Sequence, residues 1–451
     1  MKIRSILVLF SSLFLLQSIQ ASESNSEIRK QHNNTDSSKD TMVKLFSFGT
    51  KVKSKKGTSI NSSVAYNSEL GYGFDLNTAQ NANLNTSSFT TEKPTYFSVK
   101  LPEGNYQVEV VLGSDDAASN VTIKAESRRL MLKEQVIQKG KQFIKTFNVN
   151  VRNAKIDATT SMSLRGSEYD DLNWDDKLTI EFLGTVAVKS IKITKAENLI
   201  VVYLAGDSTV TDQDVEPWAS WGQFITNYFD DKVVVANYAV SGSALPSFKG
   251  ARRLKKILSL IKPGDYLFIE FGHNDEKIKG EGNGAWGSYS DLLTEYIQLA
   301  REKGAIPILN TPTQRRAFHE DGTLKPTHGD FPDAMRAVAK KQNVPLIDVT
   351  KMTTQMYESW GDEPSRKAFV QYPANTFPGQ DKALEDNTHF NSFGANEIAL
   401  CVIEGIRNLD IPLKKCISKQ TLSYNPAKPN AFSDWTLPMS TRFEIAKPEG
   451  N

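Results

Sequence analysis

Ser208, Gly242, Asn274 and the pair Asp386 and His389 are the residues of this chain whose types and order suit acyl transfer. A serine hydroxyl is a weak nucleophile until a neighbouring base takes its proton, and an imidazole backed by a carboxylate is such a base. Asp386 and His389 are three residues apart, so the carboxylate can reach Nδ1, fix the tautomer and leave Nε2 facing Ser208. Charge building on a tetrahedral oxygen needs donors, and the Ser208 N–H, the Gly242 N–H and the Asn274 side-chain amide supply them. Each match alone is weak, because Gly-Asp-Ser is an ordinary turn, glycine after a strand is common and Asn often bridges loop backbones. The other histidines make poorer bases: His32 falls in a polar spacer, His319 and His328 in a long loop, and His273 faces away from Ser208 if Asn274 faces in.

The elements that must position these groups follow from periodicity. Apolar runs at 199–205, 233–238, 266–271, 306–310 and 345–349 have the character of strands buried on both faces of a parallel sheet. Helical patterns lie between them; Leu254, Ile257, Leu258 and Ile261, stopped by Pro263 and Gly264, form the clearest, and 292–303, 331–341 and 394–409 are others. This alternation predicts a doubly wound α/β domain over 198–415. Ligands in such folds bind outside the carboxyl ends of the strands. Ser208 follows the first strand, Gly242 the second and Asn274 the third, while Asp386 and His389 precede the last helix in a loop, so all converge on one edge.

Residues 43–197 read differently. Short β-rich segments, including 96–101, 106–112, 143–151, 178–182 and 188–193, are separated by turn clusters and predict an all-β antiparallel sandwich. Residues 1–21 carry Lys2 and Arg4 ahead of an apolar run too short to span a bilayer, the pattern of a signal peptide, so the mature protein is expected to be secreted or periplasmic. Residues 22–42 are too polar to bury a core and read as a disordered spacer. Residues 416–451 form a proline-containing tail that either wraps the surface through Trp435 and Phe443 or is partly disordered. A net charge of +2 among 451 residues excludes a general electrostatic case for nucleic-acid binding, and no later segment is apolar enough for a membrane helix. Cys401 and Cys416 are the two cysteines; export permits a disulfide, while the apolar stripe around Cys401 equally suits a buried free thiol. The mechanism calls for no metal or cofactor, and oligomeric state is not legible.

Taken together, Ser208, Gly242, Asn274 and His389 resemble the defining residues of the SGNH hydrolase superfamily. Within it, 205–210, Trp218, Trp221 with Gly222, 271–275, 311–316 and 386–390 look like a rhamnogalacturonan acetylesterase, and the likeness covers about 198–409. The resemblance implies a flavodoxin-like fold, a triad of Ser208, Asp386 and His389, an oxyanion hole of Ser208, Gly242 and Asn274, and an acetylated pectic polysaccharide as substrate. The compact family domain lacks the segment before Asn198. Gly71-Tyr72-Gly73-Phe74 is similar to a feature of galactose-binding-like modules, which implies a carbohydrate-binding or spacer role for the first domain. Arg315 and Arg316 are candidates to grip a uronate carboxylate, Trp218, Trp221 and Trp286 to stack on sugars, and His328 to line the pocket. For each, a structural role competes. A lipid or aryl esterase of the same superfamily and a non-catalytic carbohydrate-binding protein are the alternative readings.

Overall fold

The structure, a computed structural model, describes residues 43–449, which belong to one compact unit. The expected signal peptide and spacer lie outside the described residues.

In the first half, strands bury one face. Tyr106, Val108, Val110 and Leu112 point inward from Gly104–Leu112, the period of two that a half-buried strand requires. Phe46, Phe48, Phe74, Phe89, Phe97 and Phe182 meet edge-to-face in the core, the arrangement that ring quadrupoles favour. Ser119–Ala125 (β1) and Arg129–Ile137 (β2) form a hairpin. A 19-residue strand, Lys177–Lys195 (β3), is the spine. Its first part pairs with β1 and Thr95–Lys100, its second with Val43–Phe48, Phe89–Thr91 and Gly104–Leu112. The sequence suggests two strands here with a turn between them, but residues 183–187 stay extended. Gly184, at φ +96°, stands near the change of partners, and a Cβ there would lie 2.3 Å from the Asn120 carbonyl oxygen. Shared use of β3 joins eleven strands in one hydrogen-bonded network. One pairing, Val43–Phe48 with Thr58–Ile60, is parallel, so the expected purely antiparallel pattern is corrected.

The second half contains five parallel strands: Ile200–Gly206 (β4), Val233–Asn237 (β5), Tyr266–Glu270 (β6), Ile306–Asn310 (β7) and Leu346–Ile347 (β8), in spatial order β5-β4-β6-β7-β8. Both faces of β4 are buried. Val202 and Leu204 pack with apolar stripes from Val349–Trp360 and Ser392–Asn408, whereas Val201, Tyr203 and Ala205 pack with Arg253–Leu260, Ser290–Glu302 and Phe331–Gln342. Chain order reverses at β4, which opens a crevice beyond its carboxyl end.

The halves share their interior. Leu130 from β2 enters the core cluster containing Val202, and Met162 the cluster containing Val201. The C-terminal segment is ordered across both halves. Trp435 packs on Phe224 and Phe393, Phe443 packs at a tilt on Phe377, and backbone hydrogen bonds link Glu216 to Arg442 and Glu444. Cys401 and Cys416 are free buried thiols, without a disulfide between them.

Candidate active site

β4 ends at Gly206, where only glycine fits, since a Cβ there would lie 2.6 Å from the Val210 side chain and 2.9 Å from the Glu270 carbonyl oxygen. The chain then makes one tight turn, with Val210 and Thr211 N–H groups donating to Asp207 O at 3.1 and 3.0 Å. Asp207 Oδ1 accepts from the Thr209 N–H and hydroxyl, which stiffens the turn carrying Ser208. The sequence suggests a strand-to-helix turn, but no helix follows at once; the next is the single turn Trp221–Phe224. Instead, an acidic loop runs through Asp212, Asp214 and Glu216.

Asp386 and His389 lie not in a loop but on Leu384–Phe390, which pairs antiparallel with Phe369–Tyr372. Asp386 Oδ1 accepts the N–H groups of Thr388 and His389 at 2.6 and 2.8 Å, turning the intervening residues so that Oδ2 meets His389 Nδ1 at 2.8 Å. His389 Nε2 is 3.0 Å from Ser208 Oγ. Burial opposes ionisation of Asp386, but its hydrogen bond to His389 and the imidazole charge, with those two backbone donors, outweigh burial and hold the carboxyl far below the usual carboxylate range. Two residues on, Asn391 caps Ser392–Asn408 by accepting from the N–H groups of Phe393 and Gly394. Its own amide donates to Lys367 and Phe369 carbonyls, tying the strand to the helix start. Trp218 presents an edge-to-face contact to the His389 ring at 5.6 Å.

Gly242 has φ +74°, a conformation other residues resist. Asn274 Nδ2 donates to Ser243 O at 3.1 Å, which fixes the amide plane while its second N–H remains a donor. His273 turns the other way, as read from the sequence: it is buried against His328, and its Nδ1 lies 3.6 Å from Asp207 Oδ2. Burial pushes its imidazole down to about 4, so it is neutral near pH 7.

The residues suggested for substrate contact are mostly committed elsewhere. Trp221 is fully buried, and its indole donates to Glu270, so it is a core residue rather than a sugar platform. Trp218 is also buried, with its indole N–H on Glu444 O. Arg316 is paired with Asp362 and donates to Asn387 Oδ1 at 3.1 Å, bracing the strand between Asp386 and His389. Arg315 is paired with Glu276 at 2.6 Å, and His328 is enclosed between Glu276 and Thr313 O. Trp286 is 60% exposed, with its indole on Asp330. Among the described residues, no His, Cys, Asp and Glu cluster is arranged to hold a metal ion.

Sequence reasoning missed the support of the loop after Ser208. Arg129 Nε donates to Asp212 Oδ2 at 2.7 Å, Arg152 Nη2 reaches the same oxygen at 3.0 Å, and Asn237 Nδ2 donates to Asp212 Oδ1. Arg128 pairs with Glu216 and donates to the carbonyls of Gln213, Val215 and Trp218; Lys124 also pairs with Glu216, and Ser127 donates to Asp214. Gln213 returns a hydrogen bond to Ser208 O at 2.8 Å. The signal was present as alternating acids after the nucleophile and adjacent arginines at 128 and 129, but only folding joins residues so distant.

Beside these arginines, Glu126 lies in the β1–β2 turn and accepts the Thr179 N–H. Burial pushes its carboxyl up to about 8, despite the nearby Arg129. The folded protein therefore keeps this proton where the unfolded chain has lost it. Stability contributed by Glu126 falls as pH rises from about 4.5 toward 8 and levels off above that. Glu126→Gln is expected to raise the thermal midpoint at pH 9, by an amount corresponding to on the order of a few kcal/mol, with little gain at pH 4. Paired melting curves at the two pH values check this; an equal shift at both contradicts it.

Residues 204–395 span all these catalytic-type groups and match the GDSL-like lipase/acylhydrolase family; the chain belongs to this family and is an ester hydrolase. It is 44% identical over 217 residues to rhamnogalacturonan acetylesterase RhgT of Bacillus subtilis (strain 168), covering 48% of this chain and 93% of that protein. It is 38% identical to YesY of the same organism, a probable rhamnogalacturonan acetylesterase, over 49% of this chain and 98% of YesY. The crystal structure of YxiM from Bacillus subtilis covers 82% of this chain and 99% of its own, at 23% identity and a TM-score of 0.44.

Proposed function

We propose that this protein is a secreted carbohydrate esterase that removes acetyl groups from pectic polysaccharide of the rhamnogalacturonan type. The observation that carries the chemistry is the continuous line Asp386 Oδ2, His389, Ser208 Oγ, with separations of 2.8 and 3.0 Å. Ser208 attacks the acetyl carbonyl while His389 Nε2 takes its proton. Asp386 keeps Nδ1 protonated and stabilises the imidazolium. The Ser208 and Gly242 N–H groups and the Asn274 amide receive the oxyanion. His389 gives the proton to the departing sugar oxygen, which leaves as a hydroxyl, and water then attacks the acetyl-enzyme by the same route to release acetate and restore Ser208. The substrate assignment rests on the identity to RhgT. Export rests on the charged and apolar pattern of residues 1–21, and N-terminal sequencing of protein recovered outside the cytoplasm tests it.

Acetate release from acetylated rhamnogalacturonan and acetylated xylan, compared with phenol release from a long-chain aryl ester, tests the reading. The pectic polymer is expected to give the highest kcat/KM; equal or faster turnover of the long-chain ester contradicts it. Asn274→Ala is expected to lower kcat by about 100- to 1000-fold while changing KM little, because its amide acts on charge that develops in the transition state. Steady-state kinetics on 4-nitrophenyl acetate checks that split.

A further inference from the structure

Beside the reaction centre is a cavity of about 470 Å³, in the range of small-ligand sites. Three parts of the chain wall it: Arg165 and Trp174 from the β-rich half, Trp218 and Ser241 from the loops after β4 and β5, and Arg442 and Lys447 from the C-terminal segment. Ser241 precedes the proposed oxyanion donor Gly242. A Cβ at Gly242 would lie 2.6 Å from Arg165 Nη1 and 3.1 Å from the backbone of Glu449, so both residues rest directly on it. Lys447 Nζ is 3.3 Å from Asp386 Oδ2, the oxygen that meets His389. Two cations from distant segments thus flank the point where an acetylated sugar must dock.

A carboxylate already sits there. Glu449 Oε2 is 2.8 Å from Arg165 Nη1, in a pair with side-chain exposures of 53% and 29%. Ion pairs this exposed are weak and readily exchanged. Several other acids on the wall are held by cations of their own, Asp212 by Arg129 and Arg152 and Glu168 by Arg253, while Asp170 and Glu444 add negative charge that Arg165 and Lys447 must outweigh. Asp214 is held by Arg442, and burial together with Asp214 and Glu168 pushes Asp171 up to about 8, leaving it largely uncharged at neutral pH.

We propose that Arg165 and Lys447 form a subsite for a carboxylate on a sugar next to the acetylated one, and that Glu449 occupies it until an acidic polysaccharide displaces it. This rests on the ester-hydrolysis reading of Ser208 and His389. It makes the β-rich half and the C-terminal segment direct contributors to specificity. Arg165 supplies two parallel N–H donors suited to a carboxylate, and Lys447 a mobile point charge.

The test compares kcat/KM for acetate release from acetylated rhamnogalacturonan and from the same polymer after chemical reduction of its carboxyl groups. The full-length protein is expected to prefer the acidic polymer. Arg165→Met and Lys447→Met are each expected to lower the acidic-to-reduced ratio roughly tenfold, and Glu449→Gln to lower KM for the acidic polymer by about two- to threefold. A ratio, rather than a rate, separates carboxylate recognition from any effect of Lys447 on Asp386. Equal use of both polymers by the unaltered protein, or ratios unchanged in both cation variants, overturns the subsite and leaves esterase chemistry standing. No acetate from either polymer overturns the esterase reading and the subsite with it.

Discussion

Ser208→Ala is expected to lower acetate release by about 10⁴-fold or more while leaving the folded structure in place. The hydroxyl is the atom in line with His389 Nε2, at 3.0 Å. The turn itself is built from Asp207 and Thr209, whose hydrogen bonds do not involve the Ser208 side chain. Stability should therefore change little. Asp386→Asn is expected to be of similar severity, about 10⁴-fold, for a different reason. An amide cannot accept the Thr388 and His389 N–H groups and the Nδ1–H as a carboxylate does, and it permits the tautomer that turns a protonated Nε2 toward Ser208. Because Asp386 stays ionised throughout the usual working pH range, it contributes no inflection of its own above pH 4. Rates on 4-nitrophenyl acetate, with melting temperatures measured alongside, check both variants. Unchanged turnover in Ser208→Ala would remove the nucleophile assignment.

Arg129→Met is expected to destabilise the protein by about 3–5 kcal/mol and to reduce activity along with stability, although Arg129 lies in the β-rich half. Its guanidinium is fully buried and donates to Asp212, to Asn173 Oδ1 at 2.7 Å and to Asn150 O at 2.9 Å. Burial opposes ionisation of Asp212, and the charges of Arg129 and Arg152 hold it ionised. Removing one arginine leaves a desolvated carboxylate half compensated in the loop that follows Ser208. Deleting residues 43–196 goes further: it takes away Lys124, Arg128, Arg129 and Arg152 together and uncovers Asp212, Asp214 and Glu216. The expected result is an insoluble or inactive fragment. Soluble expression of residues 197–451 with normal turnover of 4-nitrophenyl acetate would show instead that the halves are separable. Denaturant melts of Arg129→Met give the smaller, quantitative version of the same question.

These expectations differ from those of an appended binding module, and the difference marks where sequence reading ran out. The five sheet strands were legible because strands buried on both faces are continuous apolar runs. Asp386 and His389 were legible because their contact is local, set by three residues of spacing and by backbone donors within the same stretch. For Trp221 the sequence left a sugar platform and a core role open, because an aromatic residue has the same letter in both; the fold buries it, with its indole on Glu270, 49 residues away. For Arg316 too the sequence left a uronate contact and a structural role open, because its partners, Asp362 and Asn387, come from later elements.

The amino-acid sequence by itself marked the groups proposed for the chemistry, Ser208 as nucleophile, His389 as base and Asp386 as orienting acid, and placed Ser208 after the first strand of the parallel sheet. Those assignments follow from residue type and from periodicities a few residues long. Only the tertiary structure decided what surrounds that chemistry. It brought Arg128, Arg129 and Arg152 from the β-rich half under the loop after Ser208, and carried Lys447 and Glu449 from the far end of the chain to the mouth of the site. Ion pairs between segments 60 to more than 280 residues apart leave no period in a sequence, since their cost and gain depend on burial that exists only after folding.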